Sequence, residues 1–102
     1  DVRKNSPTFG KYFSTTLSEE KPATLCIPRG FAHGGMSLED NSMLLVSTDN
    51  YFSDEHGTGI AWDDPDLAIK WPEVSRDLII MERDRQYGSF KDFVAHYGGV
   101  EI

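Results

Sequence analysis

His33 lies between Ala32 and the pair Gly34-Gly35, so small neighbours leave room for another molecule to approach its imidazole. An imidazole reached in that way can move a proton near neutral pH or hydrogen-bond a ligand. On residue type alone, His33 reads first as a core histidine with a satisfied hydrogen bond, and ligand contact is the alternative. Tyr51, in Asp49-Asn50-Tyr51-Phe52, is a flat aromatic in a polar loop. It can stack on a nucleotide base or anchor the loop. Asp84 follows Met81-Glu82-Arg83 and, taken alone, is one acid among many on an acidic surface. Ser37, His33 and Asp84 could be combined on paper into a nucleophilic triad, but a chain of this size offers such combinations freely. His56 and His96 have no partner at metal-ligand spacing, so no metal site is expected. Gly34-Gly35 lacks the Lys and the spacing of a phosphate-binding loop.

The elements that would position these residues are mostly short strands. Tyr12 to Leu17 and Ala23 to Ile27 are rich in aromatic, apolar and β-branched residues, with the polar turn Ser18-Glu19-Glu20-Lys21-Pro22 between them. Pro28 and Gly30 end the second run. Phe31 to Leu38 reads as strand-like, with a bulge or close backbone approach at Gly34-Gly35. Glu39-Asp40-Asn41 is a turn. Ser42 to Thr48 is the most apolar strand, residues 49–58 a polar loop, and Ile60 to Trp62 a short strand. Trp62 with Asp63-Asp64-Pro65, and likewise Trp71-Pro72, read as structural: a core indole and a turn. The tail changes period. Phe90, Phe93, Val94 and Tyr97 follow i, i+3, i+4, i+7, with Ser89 before them and Gly98 after, which predicts one short amphipathic helix. Short strands with turns every 8–12 residues predict an antiparallel sandwich or barrel.

The chain has 102 residues and 38 % hydrophobic content, enough for one small domain with a modest core. Its formal net charge of −7 disfavours nucleic acid and anionic membranes as partners. No run approaches the roughly 20 apolar residues that span a bilayer, and no signal-peptide pattern opens the chain. Cys26 is the one cysteine and lies in an apolar run, so a buried structural thiol and a cytoplasmic setting are expected. An opening at Asp1 without Met predicts a longer parent chain.

Three segments carry a family resemblance. The opening Asp1-Val2-Arg3-Lys4-Asn5-Ser6-Pro7-Thr8-Phe9-Gly10 is the first, and Cys26-Ile27-Pro28-Arg29-Gly30-Phe31-Ala32-His33-Gly34 the second. Gly59-Ile60-Ala61-Trp62-Asp63-Asp64-Pro65 is the third. In this order and spacing they resemble the second half of dTDP-4-dehydrorhamnose 3,5-epimerases, over residues 1 to about 84. The resemblance implies an all-β, RmlC-like jelly roll of the cupin class, antiparallel, while residues 85–102 show little resemblance and read, from the apolar spacing, as a helical tail particular to this protein. It also implies a homodimer acting on a nucleoside-diphosphate 4-keto-6-deoxyhexose with no cofactor. Metal-binding cupins supply a His-x-His that His33, standing alone, does not.

For individual residues, the resemblance implies that His33 contacts the sugar nucleotide. Asp84 ends a segment after Trp71-Pro72 that resembles one whose Asp pairs with the catalytic His. Asp84 would then orient that base, and Arg83 would contact substrate where the family has a Lys. Tyr51 would lie near the nucleotide base. In the family's order, the Arg-Gly-Leu-His segment with the base, and a Lys at the enolate, come before the position of Asp1. The family's proton-donating Tyr falls at Val46, and a substrate-contacting Glu falls at Gly57. A valine cannot donate a proton. A two-centre epimerase, a one-centre epimerase, a ketoisomerase relative and a non-catalytic sugar-nucleotide-binding protein therefore all remain open.

Overall fold

The i, i+3, i+4, i+7 apolar spacing in the tail builds the one full helix of the molecule. The structure, a computed structural model, describes residues 1–102. Helix α2 spans Phe90–Tyr97 and is capped at both ends. The Ser89 hydroxyl accepts from the Asp92 backbone N–H, and the Asp92 carboxylate accepts from the Ser89 N–H, a reciprocal capping box. At the other end Gly98 takes a left-handed φ of 68° and donates its N–H to the Val94 carbonyl at 2.8 Å. Helix α1, Glu82–Gln86, is a little over one turn, and Asp54–His56 forms a single 3₁₀ turn.

Around α2 the two ends of the chain meet. The Lys4 N–H donates to the Val100 carbonyl at 2.8 Å and the Val100 N–H to the Val2 carbonyl at 2.7 Å, forming an isolated parallel bridge centred on Arg3 and Val100. Phe9 leans on Phe90, their ring centres 5.5 Å apart. The Ala61 N–H donates to the Gly88 carbonyl at 2.8 Å, which ties the segment after Gly59 to the start of α2. Val2 and Phe93 are the buried apolar side chains of this nucleus. Nearby, Trp71 donates its indole N–H to the Trp62 carbonyl at 2.8 Å, with the two rings edge to face. The turn after Trp62 is thus structural, as the residues imply, although both indoles are partly exposed.

The expected all-β jelly roll is not what the structure shows. There is no sheet: the bridge at Arg3 and Val100 is isolated, and it is parallel rather than antiparallel. The chain makes 22 backbone–backbone hydrogen bonds, where a folded domain of this length makes about 70. Its accessible surface is 9278 Å², against about 5,800 Å² for a compact monomer of this mass. A turn does fall at residues 39–41, as expected, where Asn41 takes a positive φ of 60°, and another falls at residues 29–30, where Pro28 and Gly30 end the run before it. The segments between them pair with nothing. A strand is held by cross-strand neighbours and by covering one face, and residue preference alone supplies neither. Phe13, Leu45 and Ile79 are accordingly exposed rather than packed. Cys26 is also exposed, not a buried thiol, because the run around it has no covering layer. No helix is long and apolar enough to cross a membrane.

Candidate functional site

The His33 loop is held from below by the opening segment. Asp1 accepts through both carboxylate oxygens from the Arg3 guanidinium, at 2.9 and 2.8 Å, and from the Arg3 backbone N–H at 2.9 Å. The hydroxyls of Ser6 and Thr8 donate to the same carboxylate, whose side chain is only 2 % exposed. Every oxygen lone pair of this buried charge thus faces a donor, as burial requires. The guanidinium so fixed lies over the Phe31 ring, 4.6 Å from its centre. Val2 donates its N–H to the Gly30 carbonyl at 3.1 Å. Gly30 has φ of +88°, and a side chain there would run into the Arg3 stem. His33 follows two residues after Phe31, exposed and without a hydrogen-bond partner. It is therefore open to a ligand rather than a satisfied core histidine.

The Tyr51 loop is tied to the same turn from the side. Arg29 donates to Asp49 at 2.6 and 3.0 Å, and the hydrogen-bonding guanidinium holds the Asp49 carboxyl below its ordinary value. The Thr48 hydroxyl donates to the Asn50 carbonyl, and the Tyr51 N–H to the Asn50 side chain. The Tyr51 ring itself is 98 % exposed, so it anchors nothing. It lines a shallow hollow of about 380 Å³ with Thr48, Asp49, Phe52 and His56. Arg83, on α1, approaches Asp54 of the 3₁₀ turn at 3.5 Å, while Asp84 is half-buried with its backbone N–H bonded to Met81. No hydrogen bond or ion pair joins His33, Tyr51, Arg83 and Asp84 to one another. The Arg29–Asp49 pair links the first two loops, and the Arg83–Asp54 pair links α1 to the segment after Tyr51.

Two positions outside the expected set organise the molecule. Asp64, 4 % exposed, accepts the backbone N–H groups of Asp66 and Leu67 on one oxygen, each at 2.9 Å. Its other oxygen accepts the Phe90 N–H at 2.8 Å, at the start of α2. Burial alone would raise this carboxyl, but the three N–H donors, with Lys91 nearby, bring it below the ordinary value. The Asp1 carboxylate is the second. Its signal in the sequence is an Asp followed by Arg, Ser and Thr at +2, +5 and +7, acceptor and donors within reach of one tight turn.

Residues 1–92 match the family model described as dTDP-4-dehydrorhamnose 3,5-epimerase, so the match runs past Asp84 into α2. The chain belongs to this epimerase family. It is similar to the dTDP-4-dehydrorhamnose 3,5-epimerase of Methanothermobacter thermautotrophicus, with 41 % identity over 93 residues, 90 % of this chain and 50 % of the relative. The Sinorhizobium fredii epimerase is 36 % identical over the whole chain, covering 52 % of that protein. For the Escherichia coli epimerase the identity is 37 % over 94 residues, 92 % of this chain and 50 % of the relative. The chain thus spans about half the length of the curated relatives it matches. No solved structure gives a significant match.

Proposed function

We propose that the protein to which this chain belongs is a sugar-nucleotide epimerase that inverts C3 and C5 of a dTDP-4-keto-6-deoxyhexose in deoxysugar biosynthesis. The observation that carries this reading is the family match over residues 1–92. Its chemistry follows from the substrate. A ketone at C4 acidifies the C–H bonds on both flanking carbons, so a general base can remove either proton and leave an enolate. Reprotonation from the opposite face inverts the centre, and no redox or metal cofactor is consumed.

In this reading Asp84 holds the imidazole of the base in one tautomer and raises its basicity. Its half-buried position suits that role. His33 contacts the sugar nucleotide through its exposed ring, Arg83 offers a fixed positive charge to it, and Tyr51 stacks near its base. Residues 1–84 carry these groups, and residues 85–102 are a helical tail. The active form is a homodimer in the cytoplasm, in which the apolar run Met43-Leu44-Leu45-Val46, exposed in the single chain, is covered. A net charge of −7 leaves nucleic acid and membranes out of the partner set.

A second reading, inversion at one carbon, rests on Val46, which stands where the resemblance implies a proton donor. Solvent deuterium exchange into dTDP-4-keto-6-deoxyglucose, followed at C3 and C5 by NMR with the full-length protein, separates the two. Exchange at both carbons is expected. Exchange at one carbon establishes the second reading, and unlabelled substrate after prolonged incubation sinks both.

A further inference from the structure

We propose that Arg3 is a positioning residue for His33, an inference that rests on the reading of His33 as a contact to the sugar nucleotide. Arg3 is far from His33 in sequence, yet its side chain lies against both Gly30 and Phe31 in the turn leading there. Its stem packs on Gly30, where no side chain fits. Its guanidinium covers the face of Phe31 at 4.6 Å, a cation–π contact that fixes the ring two residues before His33. Its own freedom is removed by the two-oxygen grip of Asp1 and a further contact to the Ser6 hydroxyl at 3.3 Å. The adjoining residue, Val2, pins the Gly30 carbonyl. His33, by contrast, has no hydrogen bond of its own. Its orientation is therefore inherited from the Gly30-Phe31 backbone, and that backbone is set by Arg3. A lysine cannot substitute, because a single ammonium cannot grip both Asp1 oxygens while lying flat on Phe31.

The test compares Arg3→Met, which keeps an unbranched apolar stem, with wild type in the full-length protein. His33, His56 and His96 are the histidines of this chain, and the ring C–H signal of each is assigned in the full-length protein by its loss on substitution by Ala. In the ligand-free protein the His33 signal moves in Arg3→Met, while His56, bonded to Ser53, and His96, on α2, stay in place. A merely structural role shifts all three or none, and either result overturns the proposal. Steady-state kinetics then completes a double-mutant cycle with His33→Ala. Each single change raises KM by about tenfold with kcat little altered, and the double variant matches His33→Ala alone. Multiplying effects overturn the positioning role and leave the reading of His33 intact. An unchanged KM in His33→Ala overturns that reading, and the inference with it. Should Arg3→Met not fold, Arg3→Lys is measured in its place and gives the same pattern.

Discussion

Replacing Asp64 by Asn is the sharpest test of how this chain is held together. The carboxylate is 4 % exposed and accepts three backbone N–H groups, two from its own turn and one from Phe90 at the start of α2. An asparagine oxygen can keep the bonds to Asp66 and Leu67. Its amide NH₂ then faces the Phe90 N–H, donor against donor. One buried N–H left without an acceptor costs about 1–3 kcal/mol. Loss of the negative charge at the N-terminus of α2 adds about 0.3–1 kcal/mol. The sum, about 1–4 kcal/mol, is a sizeable part of the roughly 5–15 kcal/mol that holds a typical domain. Urea unfolding of the full-length protein at neutral pH reads it as a lowered midpoint with an unchanged slope. The pH dependence checks the cause. Because the folded carboxyl lies below its ordinary 3.8, its stabilisation is complete above that value and is lost as pH falls through the lower folded one. Wild type therefore loses stability relative to the Asn variant on acidification below 3.8, and the gap between them narrows. Equal midpoints at neutral pH, or a gap that does not change on acidification, would refute the hub role of Asp64.

Other consequences follow from the same contacts. Ser89→Ala removes one half of the capping box on α2 and lowers stability by about 1 kcal/mol in the same unfolding experiment, whereas Ser89→Asp restores it. Gly59→Ala drives a methyl group into the Tyr87 ring and costs about 1–3 kcal/mol, with the Tyr87 ring signals displaced in NMR spectra. The isolated 102-residue chain, with Leu45, Met43 and Ile79 uncovered, self-associates, and a monodisperse monomer that unfolds cooperatively in light scattering and calorimetry would contradict this.

What could be read from the residues depended on how far apart the interacting groups lie. The helix Phe90–Tyr97 was legible to the residue, because Ser89, Gly98 and the apolar spacing all act within one or two turns of chain. The turn at Asn41 and the break at Gly30 were legible for the same reason. The family was legible from three short segments, since their residue types and order are specific, and the match over residues 1–92 bears that out. The sheet that the residues predict is absent from the structure. The runs around Leu25, Leu44 and Ile60 have the composition of strands, but a ladder needs a facing partner, and composition does not bring one.

The same division holds for the candidate site. The sequence by itself determined which side chains are available: an imidazole among small neighbours at His33, a loop aromatic at Tyr51, and a charged pair at Arg83-Asp84. It also determined the family, and with it the substrate class to be tested. Only the tertiary structure decided that the Asp1 carboxylate is closed by Arg3, Ser6 and Thr8, that Arg3 lies on Phe31, and that Asp64 reaches Phe90 across 26 residues. The physical reason is desolvation. A carboxylate left in water needs no particular partner, and the donors spaced after Asp1 show only which groups are available, not that they close on it. Once folding removes the water, each oxygen must find a donor wherever the backbone supplies one, and that position exists only in three dimensions.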